Sequence, residues 1–186
     1  MRLFVAIEIP ADIRSAFGSF LKELAAIAPG VKWVRVENLH VTLKFLGNTD
    51  PAKLAPLQKI LSSVHSPTPV ALHFHGLGFF PSEKRPRVFW AGMEFSPNLK
   101  SLAQDVDRAV HQLGFPVEDR PFTPHLTLAR FNPPGMGPML SAAAHENATR
   151  SFGSFTAREF HLIESKLKPT GAEYTTLQSF LFVAEA

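Results

Sequence analysis

Asn38-Leu39-His40-Val41-Thr42-Leu43-Lys44-Phe45-Leu46-Gly47 is a β-branched and apolar run, broken by polar side chains and closed by a glycine. It predicts a β-strand. Successive side chains on a strand point to opposite faces, so His40 and Thr42 share one face while Val41 and Leu43 turn toward a core. A second stretch, Arg120-Pro121-Phe122-Thr123-Pro124-His125-Leu126-Thr127-Leu128-Ala129-Arg130, reads the same way, with His125 and Thr127 opposite Leu126 and Leu128. One offset joins them: His40, Thr42 and Leu43 plus 85 are His125, Thr127 and Leu128, and Phe4 and Ala6 plus 85 are Phe89 and Ala91. A common offset with a common order of elements indicates two related halves.

Working outward, Leu3 to Ile9 reads as a strand and Asp12 to about Ala28 as an amphipathic helix stopped by Pro29-Gly30. A short extended piece comes next, around Trp33 to Val36. Asp50-Pro51 opens a helix with a capping carboxylate and a proline in the first turn. Val70 to Phe80 is extended, and the charged, proline-bounded segment Pro81 to Pro86 marks the midpoint. Arg87 to Phe95 is the next strand, and Ser96-Pro97 repeats the cap-plus-proline signal before a helix that runs to about Leu113. Pro133 to Pro138 is a Pro/Gly loop, followed by a short helix and strands near Arg158 to Lys166 and Tyr174 to Val183. The expectation is a single compact bilobal domain over 1–186, with approximate halves 1–84 and 85–186.

The 186 residues, 45% hydrophobic with 17 Phe, suffice for one real core. With no cysteine, disulfides, thiolate nucleophiles and cysteine-bound zinc are excluded, which leaves histidine and carboxylates as the reactive groups. The first ten residues read as a strand rather than a leader, and no window is apolar for long enough to span a bilayer. The expected setting is the cytoplasm and the expected state a monomer, without contact to membrane. A net charge of +3 tilts toward an anionic partner without identifying it.

Two histidines and two threonines on exposed strand faces suit one chemistry well. Hydrolysing a cyclic phosphodiester needs a base to take a proton from water and an acid to protonate the departing ribose oxygen. Imidazoles can fill both roles near neutrality. Threonine hydroxyls can donate to the nonbridging phosphate oxygens.

With both motifs in view, the chain resembles the two-histidine (2H) phosphoesterase superfamily, in its RNA 2',3'-cyclic phosphodiesterase branch, also called LigT-like 2'-5' RNA ligases. The likeness rests on the two extended motifs and covers nearly the whole chain. It implies an α+β, bilobal fold with a pseudo-twofold axis, antiparallel sheets lining a central groove and helices outside. It also implies His40 as proton donor, His125 as proton acceptor, a 2'-phosphate product, and no cofactor or metal. Either histidine can play either part as far as the residues alone are concerned. The implied partners are RNA with a 2',3'-cyclic phosphate end, tRNA fragments among them, or a small cyclic nucleotide.

Arg130 resembles the family's arginine after the second motif and is a candidate substrate-phosphate contact. Strand parity opposes this, because a regular strand puts 130 on the face away from 125 and 127, and reaching the groove needs a bulge. Trp33 and Phe45 are expected to pack in the core rather than stack on a base, and Lys84-Arg85-Pro86-Arg87 to form a solvated turn. His73 and His75 share a strand face and can together ligate a metal, yet no Asp, Glu or Cys at matching spacing accompanies them, so no metal site is assigned. Three alternatives stand beside hydrolysis. One is ligation of RNA ends through a 2'-5' linkage by the same acid/base pair. Another is a nonenzymatic RNA or nucleotide-binding module, which the intact His/Thr pairs disfavour, and the last is a structural domain. No G-x-x-x-x-G-K-[ST] loop supports ATP-dependent ligation.

Overall fold

Five consecutive residues, Leu3 to Ile7, are buried because their strand is covered on both faces. Leu3, Val5 and Ile7 enter the main core under the helices, whereas Phe4 and Ala6 join Ile163 and Tyr174 in a small cluster on the other side. The computed structural model describes residues 1–132, 138–169 and 171–182. Apart from Pro138, the loop expected at Pro133 to Pro138 lies outside them. In chain order the elements are β1 (Arg2–Glu8), α1 (Ala11–Ile27), β2 (Lys32–Trp33), β3 (His40–Asn48), α2 (Leu54–Leu61), β4 (Val70–Phe80), β5 (Val88–Phe95), α3 (Asn98–His111), β6 (Leu126–Arg130), α4 (Pro138–Glu146), β7 (Ser151–Ala157), β8 (Glu159–Lys168) and β9 (Gly171–Leu181).

Among the described residues the nine strands form one antiparallel sheet in the order β7-β4-β5-β6-β3-β1-β8-β9, with β2 added on β6. Read inward from either edge, β7-β4-β5-β6 mirrors β9-β8-β1-β3, which is the expected pseudo-twofold α+β architecture. The two lobes are not successive in the chain. β4 precedes residue 85 but pairs with β5, while β8 and β9 come after it but build on β1. The motif strands β3 and β6 meet at the centre through Val41 and Leu126, both fully buried.

The offset of 85 holds for the motif strands but not for their neighbours. Phe4, Val5, Ala6 and Ile7 pair with Phe45, Lys44, Thr42 and Val41, while Val88, Phe89, Trp90 and Ala91 pair with Arg130, Ala129, Thr127 and Leu126. Phe4 therefore corresponds to Val88, an offset of 84. The Phe4/Phe89 and Ala6/Ala91 identities are coincidences across opposite faces: Phe4 lies in the small cluster and Phe89 in the main core.

Two local expectations divide. Asp50 caps a single 3₁₀ turn, Pro51–Lys53, that leads into α2, its Oδ1 accepting from the N–H of Ala52 at 2.9 Å. Ser96 does not cap α3 through its side chain, because its hydroxyl accepts from the N–H of Ala71 at the start of β4. Trp33 packs against the core edge-on to Phe89, and Lys84, Arg85 and Arg87 are exposed in the turn between β4 and β5, as expected. Among the described residues no helix is long and apolar enough to cross a membrane.

Lys44 ties the first motif strand to the helical layer. Its ammonium is buried, 2.5 Å from Asp107 of α3, and it donates to the carbonyl of Pro116 at 2.7 Å. Removing the carboxylate would strand a buried charge, a change that costs about 3 kcal/mol where, as here, one partner is partly exposed. Asp107→Ala is expected to lower the melting temperature by roughly 6–12 °C, the shift such a loss produces in a chain of this size. Unfolding monitored by circular dichroism checks this, and a change within about 1 °C would mean the pair contributes nothing net.

Candidate active site

His40 opens β3 and His125 stands immediately before β6. Because Val41 faces Leu126 in an antiparallel pair, carrying the register one residue either way sets His40 level with Thr127 and Thr42 level with His125. All four side chains leave the sheet on the face away from the helices, and all four are half-buried. The sheet thus brings together the two histidines and two threonines read from the sequence.

Each imidazole is held in the same way. His40 Nδ1 lies 2.7 Å from the carbonyl of Asn38, and His125 Nδ1 lies 2.9 Å from the carbonyl of Thr123, in each case two residues upstream. A carbonyl can only accept, so Nδ1 carries the hydrogen and Nε2 is left for the cleft. Aromatic rings brace both. Phe4 and Tyr174 lie 4.7 and 5.3 Å from His40, and Phe80 lies 5.0 Å from His125 with Trp90 behind it at 5.1 Å. Trp90 lies flat over Gly78, where a Cβ would come within 2.2 Å of the indole, so only glycine fits beneath it.

The structure corrects the sequence reading at the residue five places after each histidine. Along β1, Val5 pairs with Lys44 and Ala6 with Thr42, so Leu43 is an extra residue in β3. Along β5, Phe89 pairs with Ala129 and Trp90 with Thr127, so Leu128 is an extra residue in β6. These are β-bulges at equivalent positions, since 43 plus 85 is 128. Each reverses the parity of the rest of its strand and returns Phe45 and Arg130 to the face of His40 and His125. Phe45 is therefore not a core residue: it is 60% exposed, paired with Phe4 on the cleft side. Arg130 is exposed on the same face, and the bulge that parity required is present.

The electrostatics are those of a partly desolvated cationic cleft. Burial pushes the His40 pKa below its ordinary value, the bond to the Asn38 carbonyl opposes this, and the charges of Arg130 and His125 lower it further, while the Glu8 carboxylate across the strand pair raises it. Burial likewise lowers the His125 pKa, with Arg130 adding to it and the Thr123 carbonyl opposing. Burial raises the Tyr174 phenol, which stays protonated and able to donate near neutrality. The charge of Arg130 acts on all three groups.

A cavity of about 210 Å³ opens beside His40, lined in part by Glu8, Arg14, Tyr174 and Thr176. A larger hollow of about 530 Å³ runs along α1 past Arg14, Lys22 and Glu37 but contains no histidine. Sequence reasoning missed Glu8, Phe80, Trp90 and Tyr174. Of these only Tyr174, the one tyrosine in the chain, carried a signal, as an aromatic with a polar handle in a strand.

The profile of the family described as LigT like Phosphoesterase matches residues 7–90 and 93–174. The RNA 2',3'-cyclic phosphodiesterase of Archaeoglobus fulgidus is 38% identical over 180 residues, covering 97% of this chain and 99% of the relative. That of Methanocaldococcus jannaschii is 33% identical over 180 residues, covering 97% and 100%. Among solved structures, TT0787 of Thermus thermophilus superposes over the full length of both chains with a TM-score of 0.81 at 31% identity. E. coli LigT complexed with 3'-AMP superposes over 97% of each chain with a TM-score of 0.74 at 27% identity. Two matched motif strands, a profile spanning both of them and relatives aligned over nearly all of their length lead to one conclusion: the chain belongs to the LigT-like phosphoesterases of the 2H superfamily.

Proposed function

We propose that this protein hydrolyses the 2',3'-cyclic phosphodiester at an RNA end to a 2'-phosphate, with His40 as proton donor and His125 as proton acceptor. The observation that carries the reading is the matched pair of imidazoles, each with Nδ1 bound to a carbonyl and Nε2 left for one shared cleft. The names of the relatives support the same substrate class.

In this reaction His125 Nε2 takes a proton from water as the water oxygen bonds to phosphorus. The bond from phosphorus to the ribose 3'-oxygen breaks, and His40 Nε2 delivers its proton to that oxygen. The Thr42 and Thr127 hydroxyls donate to the nonbridging oxygens, and Arg130 offsets the charge that builds on them. Glu8 supports the assignment of the acid, since its carboxylate favours an imidazolium at His40 and, among the described residues, no carboxylate acts in the same way on His125. No step draws on a metal or cofactor. The partners on this reading are RNA with a cyclic phosphate end, tRNA fragments among them, or a small cyclic nucleotide, met by a single chain in the cytoplasm.

The test is turnover of a short RNA ending in 2',3'-cyclic phosphate, with EDTA present and the product's phosphate position identified. The expected product is a 2'-phosphate. Tight binding without turnover would move the protein to the recognition-module class. Joining to an RNA 5'-hydroxyl in preference to water would make it a ligase using the same pair.

A further inference from the structure

His73 and His75 are two residues apart on β4, so both imidazoles leave the sheet on one face. Glu94 of β5 is the cross-strand partner of His73. Its two oxygens reach both rings: Oε2 is 3.6 Å from His73 Nδ1, and Oε1 is 3.3 Å from His75 Nε2. The carboxylate that sequence spacing did not reveal thus comes from the neighbouring strand. Ser151 of β7 completes the group, with its hydroxyl 2.9 Å from His73 Nε2.

We propose that His73, His75 and Glu94 bind one divalent transition-metal ion of the zinc class. Three observations carry this. The first is distance: a tetrahedral ion held at 2.0–2.1 Å by nitrogen and oxygen has ligand-to-ligand edges of about 3.4 Å, and the contacts of 3.3 and 3.6 Å sit close to that value. The second is the state of His73. Its Nε2 lies 2.9 Å from the Ser151 hydroxyl, which can accept from an Nε2 hydrogen; in that tautomer the Nδ1 lone pair is free for an ion, the outer-shell support that metal-binding imidazoles use. The third is His75 Nε2, which is buried and has no hydrogen-bond partner among the described residues. A cation between it and Glu94 satisfies that atom. Two imidazoles and one carboxylate favour zinc over magnesium or calcium, which take oxygen donors.

The site is separate from the catalytic cleft but shares its face. Trp90, Gly92 and Glu94 alternate along β5, and Trp90 pairs with Thr127. Glu94 is four residues from Trp90, roughly 13 Å at the rise of a strand. The proposal is therefore independent of the acid/base reading, and either can fail alone.

Calorimetric titration of the metal-free protein with zinc chloride tests it. Wild type and a control variant of an exposed histidine outside the cluster, His65→Ala, are expected to take up one equivalent with equal affinity. His75→Ala and Glu94→Gln are expected to bind at least about 100-fold more weakly, and Ser151→Ala about 10-fold more weakly, as loss of outer-shell support does. Zinc should raise the melting temperature of wild type and leave that of Glu94→Gln unchanged. Glu94 is exposed, so its variant folds whatever the site does. Absence of saturable binding to wild type, or equal binding by wild type, His75→Ala and Glu94→Gln, would overturn the proposal and reduce the cluster to a solvated imidazole–carboxylate pair.

Discussion

His125→Ala is expected to lower kcat for the cyclic phosphodiester by about 100-fold to 10,000-fold, and His40→Ala by a similar factor, the range over which a positioned acid or base acts. Both rings project into the cleft from strands whose anchors, Val41 and Leu126, point the other way, so both variants should keep the wild-type circular dichroism and melting profile. The two losses should not multiply. Once one proton transfer is gone the other has little left to assist, and the double variant should fall only slightly below the slower single one. Single-turnover rates on a 2',3'-cyclic nucleotide measure all three. Either single variant turning over at the wild-type rate would remove the paired mechanism.

Arg130→Met is expected to lower kcat/KM by about 100-fold, the loss that accompanies removal of one aimed donor to a developing oxyanion. Methionine keeps the stem while deleting the charge. Arg130→Lys should recover only part of the loss, since an ammonium lacks the planar fork. A purely structural arginine could give a similar drop, but its removal would not move the pH profile, and here a shift is required. Arg130 depresses the pKa of both His40 and His125, so its removal raises both. The rising limb of kcat/KM reports His125 losing its proton and the falling limb reports His40 losing its own, so the whole bell should slide to higher pH. A profile that stays in place with activity within about threefold of wild type would leave Arg130 outside the site.

The polar face of each motif strand was legible because period-two alternation around His40 and His125 is a local property, and the matched motifs marked the two strands that the sheet then pairs through Val41 and Leu126. The placement of the residue five positions after each histidine was not legible. An extra residue at Leu43 or Leu128 leaves no mark in composition, since each is a buried leucine in an apolar run. Phe45 was read into the core on the burial tendency of its type, and parity counted against Arg130 as a phosphate contact unless a bulge intervened. The aromatic braces were hidden for another reason. Phe80 and Tyr174 reach the histidines from strands 45 or more residues away, and only the sheet order makes them neighbours. Glu94 was hidden in the same way, being 21 residues from His73 along the chain and directly beside it across the ladder.

The equivalent bulges have one more consequence. A cyclic phosphate offers two ribose oxygens, and a pair of identical half-sites related by a twofold axis would have no means of telling left from right. The bulges expose one further station per half, and there the halves disagree: a phenyl ring at Phe45 against a guanidinium at Arg130. A second disagreement lies at the strand partner of His40, where Glu8 answers, at the offset of 84, to Gly92. The duplicated frame supplies the same strands twice, and under the proposed reaction these mismatched stations would give the cleft a handedness with which to choose between the two oxygens.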